Sequence, residues 1–172
     1  ILKIFSKEMF MYPLEAAKKA KFIDKIYVSS DSNYILKKAE QKGCEKIYRP
    51  KNLCNDKALL EDAIQHAVHY CQKENFYKIK NFVILLCNSI CVRHQDIEKG
   101  FKILNQNKKF DTVTTISKFN NFSPVRSKKI LGKKLLNYIP NNTLKNFTPL
   151  SCDRDKSVHS FYCTQSFTIS RS

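Results

Sequence analysis

Lys25-Ile-Tyr-Val-Ser-Ser-Asp31 contains an apolar, β-branched strand that ends in polar residues. Three further segments lie where an apolar strand should give way to polar backbone: Arg49-Pro50, Asn55-Asp-Lys-Ala58 and Leu85-Leu-Cys-Asn-Ser-Ile-Cys-Val-Arg93. In an open α/β sheet, ligands bind at the carboxyl ends of the strands. Several such ends in one chain, each followed by a helical pattern, indicate an enzyme that handles nucleotides.

Strand patterns alternate with helical patterns over the first two thirds of the chain. The periodicity predicts helices over 8–20, 32–42, 59–73 and 95–105, and strands over 26–28, 45–48, 82–86 and 111–116. The clearest helix is 59–73, whose apolar residues form one stripe: Leu60, Ala63, Ile64, Ala67, Val68 and Cys71. The alternation predicts an α/β fold with three α/β/α layers and a mostly parallel, Rossmann-like sheet.

The pattern changes after Ser117. Segments 128–130 and 135–139 flank Gly132-Lys133 and predict a hairpin, and 161–170 predicts a strand that returns to the sheet. We find no internal repeat and no low-complexity linker. The chain is therefore predicted to form a single domain, 1–172, with an excursion around 118–160.

Cysteine and histidine usage argues against a disulfide framework and against a metal site. The seven Cys are odd in number and include no Cys-x-x-Cys pair, so a reducing cytoplasm is the expected compartment. His66 and His69 lie on one helix without nearby partners at metal spacing. No apolar run approaches the roughly 20 residues that span a bilayer, and no membrane partner is expected.

The formal net charge of +16 allows two interpretations. A dedicated nucleic-acid surface is one, and a non-catalytic basic binding module is the function that it would imply. The other is a general bias toward Lys, Asn and Ile, with lysines scattered along helices. We favour the second interpretation, so nucleic acid is not the expected partner, although a basic cleft would suit a triphosphate and an acidic sugar.

The four strand-end segments, in the order in which they occur along the chain, resemble those of the acylneuraminate cytidylyltransferase family. The enzymes of that family make CMP-activated sialic acids and related nonulosonic acids. The stretch Tyr12–Asp24 is similar to that family's first helix and following loop, and Ser29-Ser-Asp31 to its second strand end. Arg49-Pro50 with Asp56-x-Ala58 is similar to its base-binding loop. The resemblance covers most of the chain. It implies the nucleotide-diphospho-sugar transferase type of Rossmann-like fold, and CTP and a nonulosonic sugar acid as substrates.

The resemblance implies two groups of nucleotide-binding residues. In the loop before helix 59–73 they are Asp56, Ala58 and Leu60, where Leu60 replaces a Ser and leaves only backbone recognition. Backbone groups there could recognise a base edge, and the amino terminus of the helix would favour negative charge nearby. After strand 82–86 the residues are Cys87 and Asn88. Cys87 stands where the family has a Gln, and a thiol cannot supply the hydrogen-bond donor and acceptor of the Gln amide.

Basic residues in the second half are implied to bind the sugar carboxylate and the triphosphate. They are Arg126, in Asn121–Arg126, and Arg154, in Ser151–Asp155, because guanidinium groups donate paired hydrogen bonds to carboxylate and phosphate. A surface ion pair among Asp153, Arg154 and Asp155 is the alternative for that segment. Gln165 stands where the family has Asn-Gly and is implied to contact the sugar.

Two of the family's parts would lie outside this sequence. They are the Gly-rich triphosphate segment and the paired Asp residues that hold Mg²⁺, so the metal ligands are expected outside this chain and no catalytic residue is assigned within it. We therefore interpret the chain as a core fragment that is inactive alone. The resemblance also implies a homodimer, formed by the 118–160 region. A nucleotidyltransferase of the same fold that uses another NTP or sugar is the alternative.

Overall fold

The computed structural model describes residues 1–74, 79–118, 123–147 and 160–172. It divides into two compact units, which are described separately. The first comprises Ile1–Thr114 and Ser166–Ser172, and the second Thr115–Gln165. The single-domain organisation stays a prediction, and in the described residues no helix is long and apolar enough to cross a membrane.

The first unit alternates strands and helices after a short hairpin. Its elements are β1 (Lys3–Ile4), β2 (Lys7–Glu8), α1 (Met11–Lys19), β3 (Tyr27–Ser30), α2 (Asn33–Gln41), β4 (Glu45–Tyr48), a 3₁₀ helix (Lys51–Leu53), α3 (Leu60–Glu74), β5 (Asn81–Leu85), α4 (His94–Gln106) and β6 (Thr112–Lys118). The second unit contains a 3₁₀ helix (Pro124–Arg126), β7 (Lys128–Leu131), β8 (Lys134–Asn137) and α5 (Asn141–Leu144). The last strand, β9 (Phe161–Arg171), and β6 each contribute residues to both units.

Helix α2 begins and ends as its sequence predicts. Ser32 is the N-cap, and its side chain accepts a hydrogen bond from the Ile35 backbone N–H. Gly43 follows the helix with a φ of +75°, a left-handed conformation that costs glycine little. The Gly43 N–H donates to the Glu40 carbonyl at 2.8 Å, which satisfies one of the last carbonyls of the helix.

The β1–β2 hairpin is absent from the predicted elements, which place a helix over 8–20. Its two-residue turn is Phe5-Ser6, with φ values of 47° and 62°. Such turns are usually Asn-Gly or Asp-Gly, so this sequence carries no ordinary hairpin signal. Helix α1 begins only at Met11, where the hairpin has ended.

The described sheets are small and mostly antiparallel, and the prediction of a mostly parallel sheet is wrong for them. Parallel pairing joins β3 to β4, with Tyr27 opposite Glu45 and Ser30 opposite Tyr48. The largest sheet has the order β5-β9-β6, and β9 runs antiparallel to β5. The three-layer, Rossmann-like arrangement stays a prediction.

Strand β9 also runs antiparallel to β6. The Thr112 and Ser170 hydroxyls lie 3.1 Å apart and the Thr114 and Thr168 hydroxyls 3.2 Å apart, so the residue numbers rise along one strand as they fall along the other. Because β5 and β6 both oppose β9, they run in the same direction. The predicted returning strand is therefore confirmed. It lies between β5 and β6, which a purely parallel sheet would have placed next to each other.

The main core lies where α4 packs against β9. Ile97, Leu104 and Ile169 are fully buried there, with Phe101 and Phe167 beside them. This cluster also includes Ala16 and Ala20 from α1 and its following residue. A second cluster joins Leu14 of α1 to Ala39 of α2 and to Cys44.

Gly100 of α4 is where the helix approaches β9 most closely. A Cβ at this position would lie 2.8 Å from Ile169 Cδ1 and 3.1 Å from Phe167 Cε2. A methyl group does not fit at those distances unless the buried side chains move. A side chain at position 100 would therefore have to displace Ile169 or Phe167, and glycine avoids this contact.

We predict that Gly100→Ala lowers the free energy of unfolding. Ala in a helix would ordinarily stabilise the protein by about 0.5–1 kcal/mol. Crowding of a packed core costs about 1–3 kcal/mol, so the net effect is destabilising. Urea denaturation monitored by circular dichroism measures it.

The control is the same substitution in an Ile169→Val background, which removes the Cδ1 atom. There Gly100→Ala should become neutral or stabilising, because the nearest contact is gone. A stabilising effect in the unmodified background would contradict this account of the α4–β9 contact.

Candidate functional site

Arg49 fixes the carboxyl ends of β3 and β4 to each other. Its Nη2 donates to the Ser29 carbonyl at 2.9 Å and its Nε to the Ser29 hydroxyl at 3.4 Å. Its backbone N–H donates to the Ser30 carbonyl at 3.1 Å. The loop that follows β4 therefore starts from a fixed point. The sequence predicts a strand end at Arg49-Pro50 but not the hydrogen bonds that Arg49 donates to β3. An Arg beside a Pro at a strand end is the sequence feature that could have indicated this role.

The loop after the 3₁₀ helix is held by its own Asn55. The Asn55 Nδ2 donates to the Asn52 carbonyl at 2.9 Å, and its Oδ1 accepts from the Lys57 N–H at 2.9 Å. The Ala58 N–H donates to the Asn55 carbonyl at 3.0 Å. The backbone donors of residues 57 and 58 are thus engaged within the loop. Recognition of a base edge here would use other groups of the loop.

Three of the predicted nucleotide-binding residues lie together in this segment. The Asp56 side chain is exposed, Ala58 is half-buried, and Leu60, the first residue of α3, is 43% exposed. The neighbouring Leu59 is 61% exposed. This segment presents one carboxylate and two leucines to solvent, an arrangement that can contact the face of a base.

The amino terminus of α3 does not provide the attraction for negative charge that we expected. Its first turn contains two exposed carboxylates, Glu61 and Asp62. Carboxylates in the first turn already complement the positive end of the helix dipole. They would also repel a phosphate, so the triphosphate of a bound nucleotide is expected to point away from α3.

Cys87 and Asn88 lie in an exposed, tight turn directly after β5. The turn is held by the Ser89 N–H, which donates to the Leu86 carbonyl at 3.0 Å, and by the Ile90 N–H, which donates to the Asn88 carbonyl at 2.9 Å. Ser89 itself is buried. The turn belongs to the first unit, as do residues 56–60, but β4 and β5 are not paired with each other.

Arg93, at the end of this segment, forms a bidentate ion pair. Its Nε donates to Asp96 Oδ2 and its Nη2 to Asp96 Oδ1, both at 2.9 Å. The guanidinium holds the pKa of the Asp96 carboxyl below its ordinary value of 3.8. Arg93 precedes α4 and Asp96 lies in its first turn, so the pair fixes the start of that helix.

The residues predicted to bind the sugar lie in the second unit or outside the described residues. Arg126 is half-buried in the 3₁₀ helix of the second unit. Gln165 lies in β9, but its side chain is outside the described residues, and Arg154 lies outside them altogether. Their roles stay predictions.

The described cysteines are free thiols that differ in exposure, and Cys54 is half-buried. Cys44 and Cys71 are buried, and burial raises the pKa of the Cys71 thiol to about 11. Cys87, Cys91 and Cys163 are exposed. Within the described ranges, no group of three or more His, Cys, Asp or Glu side chains could hold a metal ion.

Comparison with known proteins connects this chain to sugar-activating enzymes. The family model described as "Cytidylyltransferase" matches residues 1–131. That range contains Asp56, Ala58, Leu60, Cys87, Asn88 and Arg126, but not Arg154 or Gln165.

Two curated relatives match most of the chain. A Helicobacter pylori protein named "Pseudaminic acid cytidylyltransferase and UDP-2,4-diacetamido-2,4,6-trideoxy-beta-L-altropyranose hydrolase" is 32% identical over 131 residues, which are 74% of this chain and 24% of that protein. An Escherichia coli "N-acylneuraminate cytidylyltransferase" is 25% identical over 124 residues, 72% of this chain and 28% of that protein. The chain therefore spans about a quarter of the length of these relatives.

A solved structure has a similar fold. It is that of CMP:2-keto-3-deoxy-manno-octonic acid synthetase complexed with CTP, with a TM-score of 0.64. The match covers 99% of this chain and 66% of that chain at 14% sequence identity. The likeness shows the fold.

We predict that Asp96→Asn makes the free energy of unfolding less dependent on pH in acid. The unmodified protein should lose more stability at low pH than the variant does. The folded-state pKa of Asp96 lies below its unfolded value, so the Arg93–Asp96 pair stabilises the protein above the unfolded value. That contribution is lost as the pH falls through the folded-state pKa. The difference in unfolding free energy between the two proteins should shrink as the pH falls from about 6 to about 3.

Urea denaturation across that pH range measures the effect. Asp31→Asn, the same change at an exposed carboxylate, is the matched control for the removal of one negative charge. A constant difference between Asp96→Asn and the unmodified protein at every pH would contradict the assignment.

Proposed function

The chain belongs to the cytidylyltransferase family, and from that premise we propose that the protein containing it activates a sugar acid with CTP. The products are a CMP-sugar and pyrophosphate. The match over residues 1–131 carries this proposal, because it includes both strand-end segments in which exposed polar groups follow β4 and β5.

The sugar is proposed to be a nonulosonic, sialic-type acid. The names of the two curated relatives refer to pseudaminic and N-acylneuraminic acids, which supports this class. The proposed reaction is attack by the anomeric hydroxyl oxygen on the α-phosphorus of CTP. A new P–O bond forms, the bond to the β-phosphate oxygen breaks, the hydroxyl proton is lost, and pyrophosphate leaves.

The described residues are proposed to bind the nucleoside part of CTP. Leu60 and Ala58 would contact the base, Asp56 would accept hydrogen bonds at the rim of the loop, and Cys87 and Asn88 would approach from the end of β5. Glu61 and Asp62 would keep the phosphates away from α3. Arg126, Arg154 and Gln165 would bind the sugar and its carboxylate.

Mg²⁺ is the proposed cofactor, and it would neutralise charge on the triphosphate. Among the described residues, no group of three or more His, Cys, Asp or Glu side chains could hold a metal ion, so none of these residues is assigned as a ligand.

We also propose a cytoplasmic homodimer. The β7–β8 hairpin supports self-association, since it exposes 78% of Ile130 and 68% of Leu135 on one face.

The proposed reaction predicts pyrophosphate release by the full-length protein with CTP, Mg²⁺ and one sugar acid. Pseudaminic, legionaminic and sialic acids should each be tested with all four NTPs. Release with CTP and one acid would support the proposal. Release with UTP or GTP would indicate another nucleotidyltransferase of the same fold, and no release from a folded protein would contradict the activity.

CTP is predicted to protect Cys87 from thiol modification in the 172-residue chain itself. Cys87 is exposed at the proposed site, so bound nucleotide should slow its reaction with N-ethylmaleimide. At CTP concentrations ten times the Kd, the rate should fall about tenfold because the free site is that fraction of the total. Mass spectrometry of the labelled peptides measures it.

Two other classes of cysteine provide controls in the same experiment. Cys163 is exposed in the second unit and should react at the same rate with or without CTP. Cys44 and Cys71 are buried and should stay unlabelled. Equal labelling of Cys87 with and without saturating CTP would contradict its place at the nucleotide site.

A further inference from the structure

The part of the chain that contains the β7–β8 hairpin is strongly basic. Between Asp111 and Asp153 the sequence contains six Lys and one Arg, but neither Asp nor Glu. Four of these lysines lie in or beside the two strands of the hairpin: Lys128, Lys129, Lys133 and Lys134. The described residues give none of the four a carboxylate partner. The hairpin therefore carries a positive charge that favours an anionic partner.

The two faces of the hairpin carry different side chains. The register pairs Lys129 with Leu136 and Leu131 with Lys134, and the ladder continues to Tyr138, whose backbone N–H donates across the hairpin at 2.9 Å. Side chains alternate between the faces along a strand, so these five residues lie on one face. We call it the leucine–lysine face.

This face is open to solvent. Leu131 is 69% exposed, Tyr138 63% and Leu136 39%, and both lysines of the face are exposed as well. Ile130 and Leu135, which support self-association, lie on the opposite face. The leucine–lysine face is therefore a separate surface, and exposed apolar residues beside polar ones mark a binding site.

The side chains of this face fit the surface of a membrane. Leucine side chains enter the boundary between headgroups and acyl chains, and lysine ammonium groups reach lipid phosphates on long apolar stems. Tyrosine is enriched at the same depth.

Other anionic or apolar partners fit the face less well. A single-stranded nucleic acid is bound mainly by aromatic side chains stacked on its bases, and aliphatic leucines cannot stack in this way. A second copy of the chain on the same face would bring lysines together, and like charges repel.

We propose that the leucine–lysine face of the β7–β8 hairpin docks on a membrane surface that contains anionic lipids. Its two leucines supply the apolar contact, and its lysines, with Lys133 in the turn, supply the attraction to the headgroups. The expectation of no membrane partner concerned spanning segments, which a surface contact does not require. The proposal does not rest on the proposed activity with CTP.

Cosedimentation with lipid vesicles tests the proposal. The protein should bind vesicles in which about a third of the phosphatidylcholine is replaced by phosphatidylglycerol, and should not bind phosphatidylcholine alone. Binding to both kinds of vesicle, or to neither, would overturn the proposal.

Two double variants separate the apolar contact from the charge. Leu131→Ser with Leu136→Ser leaves the charge unchanged and should weaken binding about tenfold or more, because the apolar contact is lost. Lys129→Glu with Lys134→Glu should weaken binding about 100-fold or more. All four positions are exposed, and circular dichroism checks that each variant is folded.

Lys37→Glu with Lys102→Glu is the matched control, since it makes the same charge change at exposed positions of α2 and α4. It should weaken binding much less than the change in the hairpin. Equal effects of the two lysine pairs, or no effect of the leucine pair, would show attraction by net charge alone and contradict the docking face.

A single tryptophan identifies the face that meets the lipid. The chain contains no Trp, so Leu131→Trp places one reporter on the leucine–lysine face and Ile130→Trp places one on the opposite face. Lipids brominated in their acyl chains should quench the fluorescence of Leu131→Trp and not that of Ile130→Trp. Equal quenching of both, or of neither, would contradict the assignment. Tighter binding to an RNA oligonucleotide than to the anionic vesicles at the same salt concentration would identify nucleic acid as the partner and overturn the proposal.

Discussion

The insertion of β9 between β5 and β6 is the constraint on which the rest of the first unit depends. It places Ile169 and Phe167 beneath α4, where Gly100 allows the helix to approach closely. At the end of β9, the Arg171 guanidinium donates to the carbonyls of Leu104, Asn107 and Phe110. A cation at this point stabilises the carboxyl end of α4. One strand therefore fixes both the sheet and the helix that follows β5.

The two segments of the candidate site are held in different ways: one by the β5-β9-β6 sheet and the other by Arg49. The β9 pairing holds β5 and thereby the turn with Cys87 and Asn88. The Arg49–Ser29 contact holds the loop that contains Asp56 and Ala58. This loop satisfies part of its own hydrogen-bonding capacity through Asn55, and Glu61 with Asp62 makes its far end acidic. These features favour contact with a nucleobase over contact with a phosphate group. They are consistent with the proposed binding of CTP by its nucleoside part.

Sequence predicted the elements that are determined locally and missed those that depend on distant partners. Ser32 and Gly43 define α2 because capping needs only neighbouring residues. The strand over 161–170 was predicted. An apolar run does not indicate which strands it will pair with, or whether the pairing is parallel or antiparallel. The Phe5-Ser6 hairpin was missed because its residues are unusual for left-handed turn positions. Asp56, Ala58 and Leu60 could be grouped from sequence because they are adjacent, whereas the self-contained hydrogen bonding of Asn55 required coordinates.

The strand-end segments 56–60 and 87–90 are proposed to form one site for CTP. Titration of the isotope-labelled chain with millimolar CTP, followed by backbone amide chemical shifts, tests this proposal. If both segments contact the nucleotide, the largest shift changes fall in both segments and are smaller with UTP. Changes confined to one segment or to the β7–β8 hairpin, or no change at any CTP concentration, would contradict it.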